Sequence, residues 1–241
     1  MDIKSYKKSF EYSYTFGIFP TIELIKSKSE KIIKVLLSSK YKTDSDTDIV
    51  ELCKEYNIKT EVNDKVINRI SDKENNFVVG VFSKYECELN DDESHVVLVN
   101  PSNMGNLGTI IRTLTGFGLS NLAVISPGAD IFDPKVVRGS MGSLFRINFK
   151  YYDNFNVYNS SFKNHKKYTF MLDGAVSLKE VKHEKNELFS LIFGNEATGL
   201  DSSYSSVGKS VLIKHTDNID SLNLPIAAGI ALYHFFDLNV N

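Results

Sequence analysis

From His95 onward the chain alternates short apolar strands with amphipathic helices, and this constrains the fold more than any other feature. VVLV at 96–99 is a short apolar run. The polar, glycine-containing loop NPSNMGNLG follows. Over 109–117 the residues Ile110, Ile111, Leu114 and Phe117 fall on one face of a helix, and LAVIS at 122–126 returns to strand. Asp133 is placed to cap a helix beginning at Pro134, since proline suits the first helical position. Further strands are predicted at 168–172, 188–193 and 210–213, ahead of a closing helix over 223–236. Strands alternating with helices predict an α/β domain with a mostly parallel sheet covered on both faces.

The first third is a smaller α/β unit. Helix-like spacing at 21–27, 49–56 and 65–70 alternates with strand-like runs at 31–39, 58–62 and 77–82, and a polar turn is expected at 42–48. Between Tyr85 and Ser94 the acidic ECELNDDES has no apolar period. The boundary is placed there, giving domains 1–90 and 91–241.

Composition narrows the function classes. The 241 residues are 42% hydrophobic and 24% charged, enough apolar material for a core, which excludes disorder, collagen and coiled coil. Lys and Arg total 28 against 30 Asp and Glu, so overall charge gives no support for a strongly basic nucleic-acid binder. No apolar run approaches the ~20 residues of a membrane span, and MDIKSYKKSF lacks the apolar core of a signal peptide. Two cysteines, Cys53 and Cys87, with no CxxC, make neither a disulfide framework nor a four-ligand zinc site. A soluble, reduced, cytoplasmic protein without a membrane partner is expected.

Three segments carry polar residues where chemistry is done. The loop 100–108 sits between strand and helix, where α/β proteins bind ligands, but Gly105 and Gly108 form GxxG rather than the dinucleotide GxGxxG. A tight turn is the alternative use of these glycines. Gly194 and Gly199 have P-loop spacing, yet Leu200-Asp201 stands where Lys-Ser/Thr is required, which argues against nucleotide hydrolysis. Between them Glu196 lies in a turn where packing needs no carboxylate. The third segment, 214–233, runs from a polar loop with Ser221 and Asn223 into a helix with Ala227, Ala228 and Gly229. A solvated glutamate and a capped, packed helix are the plainer alternatives.

Taken together, Asn103-x-Gly-Asn106-x-Gly108-x-x-x-Arg112-Thr, Phe193-Gly-Asn-Glu196-x-x-Gly199-Leu and Ser221-Leu-Asn223-x-x-x-Ala-x-Gly229 resemble, in order and spacing, the three motifs of the SpoU/TrmH family. Its members are RNA ribose 2′-O-methyltransferases of the SPOUT class. The intervening Val137-Arg138-Gly-Ser-Met-Gly142-Ser-Leu-Phe-Arg146 is also similar. The resemblance spans Val96 to about Phe236, and residues 17–82 look like the small RNA-recognition domain that often precedes it.

The resemblance implies a trefoil-knotted C-terminal domain using S-adenosylmethionine, held by backbone groups around Gly194, Ile213 and Leu222. It implies catalytic roles for Asn106, Arg112, Glu196, Ser221 and Asn223. The acceptor hydroxyl is a poor nucleophile, so Arg112 serves as its base or as a clamp on the neighbouring phosphate. Glu196 is expected to position Asn106 or another polar partner, while Ser221 and Asn223 order the cofactor loop and the target ribose. Arg112, Arg138 and Arg146 are the candidate RNA contacts, with Lys26, Lys28, Lys31 and Lys34 either phosphate contacts or a solvated face. No metal is required, and the histidines show no ligand spacing. The substrate is ribosomal or transfer RNA, the former favoured. A catalytically silent RNA-binding protein that kept the fold is the alternative. The closing helix carries more apolar circumference than one sheet face covers, which together with the resemblance implies a homodimer whose sites are shared.

Overall fold

The computed structural model describes residues 2–42, 48–71 and 76–240. Most of the expected polar turn at 42–48 lies outside them. The chain divides into two compact units, one comprising Met1–Tyr85 and Asp130–Arg146, the other Glu86–Ala129 and Ile147–Asn241. Where a single boundary near residue 90 was expected, the segment Asp130–Arg146 thus packs with the first unit.

In chain order the first unit begins with β1 (Tyr12–Phe16), α1 (Ile18–Lys28), β2 (Ile32–Leu37), α2 (Ile49–Glu55), β3 (Thr60–Val62), α3 (Asp64–Ile70) and β4 (Val78–Ser83). Its sheet has the order β1-β4-β2-β3, antiparallel except for the β2–β3 pair. Alternate residues of β2 and β4 face opposite ways: Leu36, Val79 and Val81 join one core with Tyr14 and Phe16, while Val35, Leu37 and Val78 join another with Ile22, Ile25, Ile49 and Leu52. β1 was not predicted, although the alternating aromatics of YSYTF are a strand pattern. Both polar residues are buried and satisfied, Ser13 by the Phe132 carbonyl at 2.5 Å and Thr15 by the Gly80 amide at 2.9 Å. Phe132 and Phe145 pack edge-on or tilted against Phe82, which seats the Asp130–Arg146 segment in this unit.

The second unit starts with β5 (His95–Val99), α4 (Met104–Gly116) and β6 (Asn121–Ile125). The chain then supplies α5 (Pro134–Gly139) to the first unit, capped by Asp133 as predicted. It returns as β7 (Asn148–Tyr152), α6 (Phe155–Ser161), β8 (Lys166–Phe170), β9 (Val176–Ser177), β10 (Phe189–Phe193), β11 (Lys209–Leu212) and α7 (Leu224–Val240). The seven strands form one sheet in the order β7-β6-β5-β10-β8-β11-β9, every pair parallel. The α/β class and the parallel sheet agree with the sequence reading.

One boundary differs in a way that matters for the site. The residues Met104–Gly108, expected as loop, are the first turn of α4. The Asn103 side chain accepts the Asn106 amide at 3.0 Å and starts the helix there despite two glycines of low helical propensity. α7 packs on α4, Gly229 facing Thr113 and Phe117 meeting the Tyr233 and Phe236 rings, while Ala228, Ala231, Leu232 and Phe235 are its buried residues, Phe235 against Tyr168 and Phe189. Ile226, Ile230 and Tyr233, at i, i+4 and i+7, remain exposed along the helix. Among the described residues no helix is long and apolar enough to cross a membrane.

Candidate active site

In open α/β sheets ligands bind at the carboxyl ends of the strands, and the loops after β5, β8, β10 and β11 meet there in the second unit. At its centre is the carboxylate of Glu196. Oε2 accepts the Ser102 amide at 3.1 Å and the Ser102 hydroxyl at 3.0 Å. Oε1 accepts the Asn103 amide at 3.0 Å and Nδ2 of Asn106 at 3.3 Å. Burial alone would raise the Glu196 pKa. The hydrogen bonds from Ser102 and Asn103 outweigh it and hold the carboxyl below its ordinary value, so the group is an anion at neutral pH. It stands at the N-terminus of α4, where the helix dipole also favours negative charge.

The loop that carries Glu196 is itself fixed. Asn195 donates through Nδ2 to the Asn100 carbonyl at 2.7 Å and accepts through Oδ1 from the Ala197 amide at 2.9 Å. Its backbone bridges to Gly199 on the far side of the turn. A Cβ at Gly194 would lie 2.1 Å from the Gly199 carbonyl carbon, so only glycine lets the two arms of the turn touch.

Beside this turn opens a cavity of about 250 Å³. Gly194, Ile213, Leu222 and Ser221 all line it, with Phe193, Leu200 and Leu212 among its apolar walls and Glu196 at its edge. The candidate cofactor residues therefore share one space. An apolar slot with exposed turn backbone, built around a glycine that a side chain would obstruct, fits a nucleoside and its backbone hydrogen bonds. A larger hollow of about 540 Å³ lies at the opposite end of the strands, lined by Asp92, Glu93, Phe117, Glu187 and Phe236. The smaller cavity is the candidate site because the motif residues converge on it.

The candidate arginines, the lysines and Asn223 do not line this cavity. Arg112 lies on the exposed face of α4 in line with Gly105, Thr109 and Gly116. It makes no side-chain hydrogen bond or ion pair among the described residues. It stands six residues beyond Asn106, about 9 Å along the helix axis. Asn223 is exposed at the start of α7, its carbonyl accepting the Ile226 and Ala227 amides. Arg138 and Arg146 belong to the first unit, where Arg138 lies over the Phe16 ring at 5.2 Å and Arg146 pairs with Glu23 at 2.5 Å. Of the lysines, Lys34 pairs with Glu61 at 2.7 Å and Lys28 lies over Tyr85 at 5.5 Å. His215 bonds its own loop at the Ile213 carbonyl, and His234 the Val181 carbonyl.

Ser102 and Asn195 were missed as site formers. The only trace of Asn195 in the sequence is an Asn just before a turn, and nothing local marks Ser102, whose partner is 94 residues away.

Comparison with known proteins is decisive at this point. Residues 93–233 match the model of the SpoU rRNA Methylase family, more than half of the chain. The chain belongs to the SpoU rRNA methylase family. Residues 14–87 match a second model, described as RNA 2′-O ribose methyltransferase substrate binding. Among curated relatives, the 23S rRNA (guanosine(2553)-2′-O)-methyltransferase RlmP of Bacillus subtilis is 32% identical over 137 residues, 54% of this chain and 52% of that protein. The chain thus spans about half the length of that relative. An AdoMet-bound rRNA methyltransferase from Sinorhizobium meliloti is 26% identical with a TM-score of 0.79, covering 93% of this SpoU-family chain and 86% of that one. A structure described by the 2-OH methylation of C/U34 on tRNA is 25% identical with a TM-score of 0.57, covering 62% of this chain and 97% of its own.

Proposed function

We propose that this SpoU-family protein transfers the methyl group of S-adenosylmethionine to a ribose 2′-hydroxyl of a structured RNA in the cytoplasm. The observation that carries this reading is the direct bond from Asn106 to Glu196 at the rim of the cavity formed by Gly194, Ile213, Ser221 and Leu222. When bound, the donor supplies a methyl group made electrophilic by its sulfonium. The chain's own residues have to do the rest.

Backbone groups of the loops after β10 and β11 hold the donor's nucleoside, with Leu200, Leu212 and Leu222 excluding water around it. Glu196 holds Asn106 through Nδ2, which leaves the Asn106 Oδ1 as an acceptor for the ribose hydroxyl. Arg112 grips the adjoining phosphate or takes up the hydroxyl proton, and Ser221 and Asn223 order the loop that closes on donor and ribose. Ribosomal RNA is the favoured substrate. The transfer-RNA neighbour is matched over nearly all its length by 62% of this chain, which leaves it little to correspond to the substrate-binding segment. The trefoil knot implied by the sequence resemblance is part of the same proposal.

Titration calorimetry with chelator present tests the donor. Binding of S-adenosylmethionine without added metal is expected, and its absence, or its dependence on Mg²⁺, overturns the reading.

We further propose a homodimer in which α7 meets its symmetry mate through Ile226, Ile230 and Tyr233. Among the described residues Arg112 makes no side-chain hydrogen bond or ion pair, as expected if it acts in a site completed by the second copy. Gly229 does not test this, because a Cβ there would stand 3.7 Å from Thr113 and a bulky residue would therefore press on α4 within the same chain. Ile230→Asp is the cleaner variant. Light scattering should give a dimeric wild type and a monomeric variant without methyl transfer, and a fully active monomer would refute shared sites.

A further inference from the structure

The first unit presents a face that neither its two cores nor the candidate active site uses. Phe19, in the first turn of α1, is 68% exposed, the most exposed large apolar side chain among the described residues. On the same face of α1 follow Glu23 and Lys26, at i+4 and i+7. The Arg146 guanidinium is drawn onto this face by its 2.5 Å bond to Glu23.

The turn at Met141–Gly142 is wedged against the same helix. A Cβ at Gly142, φ +88°, would meet the Glu23 Cβ at 2.5 Å and the Pro20 Cα at 3.2 Å. Met141 is thereby held at φ +51°, a conformation disfavoured for a side chain of its size, with 39% of its surface exposed. Its amide is bonded to the Arg138 carbonyl, and Arg138 lies over Phe16 where β1 leads into α1.

We propose that Phe19 and Met141 form a stacking site for one unpaired base of the substrate RNA, with Lys26, Arg138 and Arg146 taking the phosphates on either side. The inference rests on the methyltransferase reading above and adds the place where the RNA is read. Phe19 beside Pro20 and Met141 beside Gly142 are brought to one helix by the Gly142 contact, and Lys26 on the same helix, Arg146 on Glu23 and Arg138 over Phe16 add three cations, a charge density unlike the apolar centre of a protein interface. The same combination suits single-stranded RNA, whose bases offer flat apolar faces and whose phosphates need Arg or Lys. Phe19 and Lys26 lie in the segment matched as substrate binding, and Met141, Arg138 and Arg146 come from the segment Asp130–Arg146 that folds into the same unit.

The test uses the full-length protein and 4-thiouridine-substituted 23S ribosomal and transfer RNA as probes. Phe19→Ala and Phe19→Leu should each weaken RNA binding about tenfold, because leucine keeps apolar bulk but has no ring to stack. Phe19→Trp should bind like the wild type, and affinity for S-adenosylmethionine should be unchanged in all three. Photo-crosslinked peptides should contain Phe19 or Met141. Wild-type affinity in Phe19→Leu, crosslinks confined to other segments, or an altered oligomeric state with unaltered RNA affinity would each overturn the stacking site. In those cases a wild type that still methylates RNA keeps the broader function intact. A wild type that binds no S-adenosylmethionine removes both.

Discussion

Arg112→Ala should lower methyl transfer on the order of a thousandfold, the usual cost of deleting a group that stabilises charge or geometry at a reacting centre. Affinity for S-adenosylmethionine should stay where it is, because Arg112 lies on α4 and does not line the cavity. The variant should also fold normally. The side chain is exposed, and its removal strands no buried partner. Single-turnover kinetics beside titration calorimetry separate the two effects. Arg112→Lys then distinguishes the two proposed roles: a point charge partly restores a phosphate clamp but does not reproduce a planar guanidinium acting on the hydroxyl itself. Near-normal turnover in the alanine variant would remove Arg112 from the site.

Glu196 should behave differently, since activity and stability are lost together. Glu196→Ala removes the acceptor of the Ser102 and Asn103 amides and of the Asn106 side chain, and because water reaches these exposed or half-buried donors the cost is about 1 kcal/mol, the net worth of an ordinary hydrogen bond. Asn106 then turns freely, and a misplacement of roughly 1 Å at a reacting group can cost about a hundredfold in rate. The pH dependence follows from the depressed pKa. A carboxyl whose folded pKa lies below its unfolded value contributes stability that is full above the unfolded pKa and is lost as pH falls through the folded one. Thermal melts should therefore show the wild type losing stability on acidification through the carboxylate range, and Glu196→Gln should lose less over the same interval. Parallel curves for the two proteins would mean that the carboxylate is not held as described.

How much of this could be read beforehand depends on whether the cause was local. Asp133 before Pro134, and the apolar face of Ile110, Ile111 and Leu114, carry their structure in their neighbours, and those helices were predicted. The start of α4 was misplaced because two glycines argue against helix there, whereas the Asn103 cap and a carboxylate from Glu196, about ninety residues away, argue for it. β7 and α6 were not predicted. NFKYY is a short edge strand with little apolar period, and FNVYNSS is a weak helix former begun by the Asn154 cap. The site followed the same division. Glu196, Asn106 and the cavity-lining Gly194, Ile213 and Leu222 were named from motif resemblance, while Ser102 and Asn195 have their roles only through contacts that the fold creates.

The position of β10 has a consequence for synthesis. This strand is the only link between two half-sheets, β7-β6-β5 on one side and β8-β11-β9 on the other, yet it is made after all but β11. A nascent chain emerging from the ribosome therefore holds one paired platform, β5-β6-β7, with β8 and β9 waiting for β10 and β11, until residues 189–193 arrive and are inserted between β5 and β8. Such non-local pairing slows folding, because loop closure precedes the contacts that reward it. The turn bearing Glu196 is the next segment out, and β11, which joins β8 to β9, follows it, so the cavity beside that turn takes shape only as the sheet itself is completed.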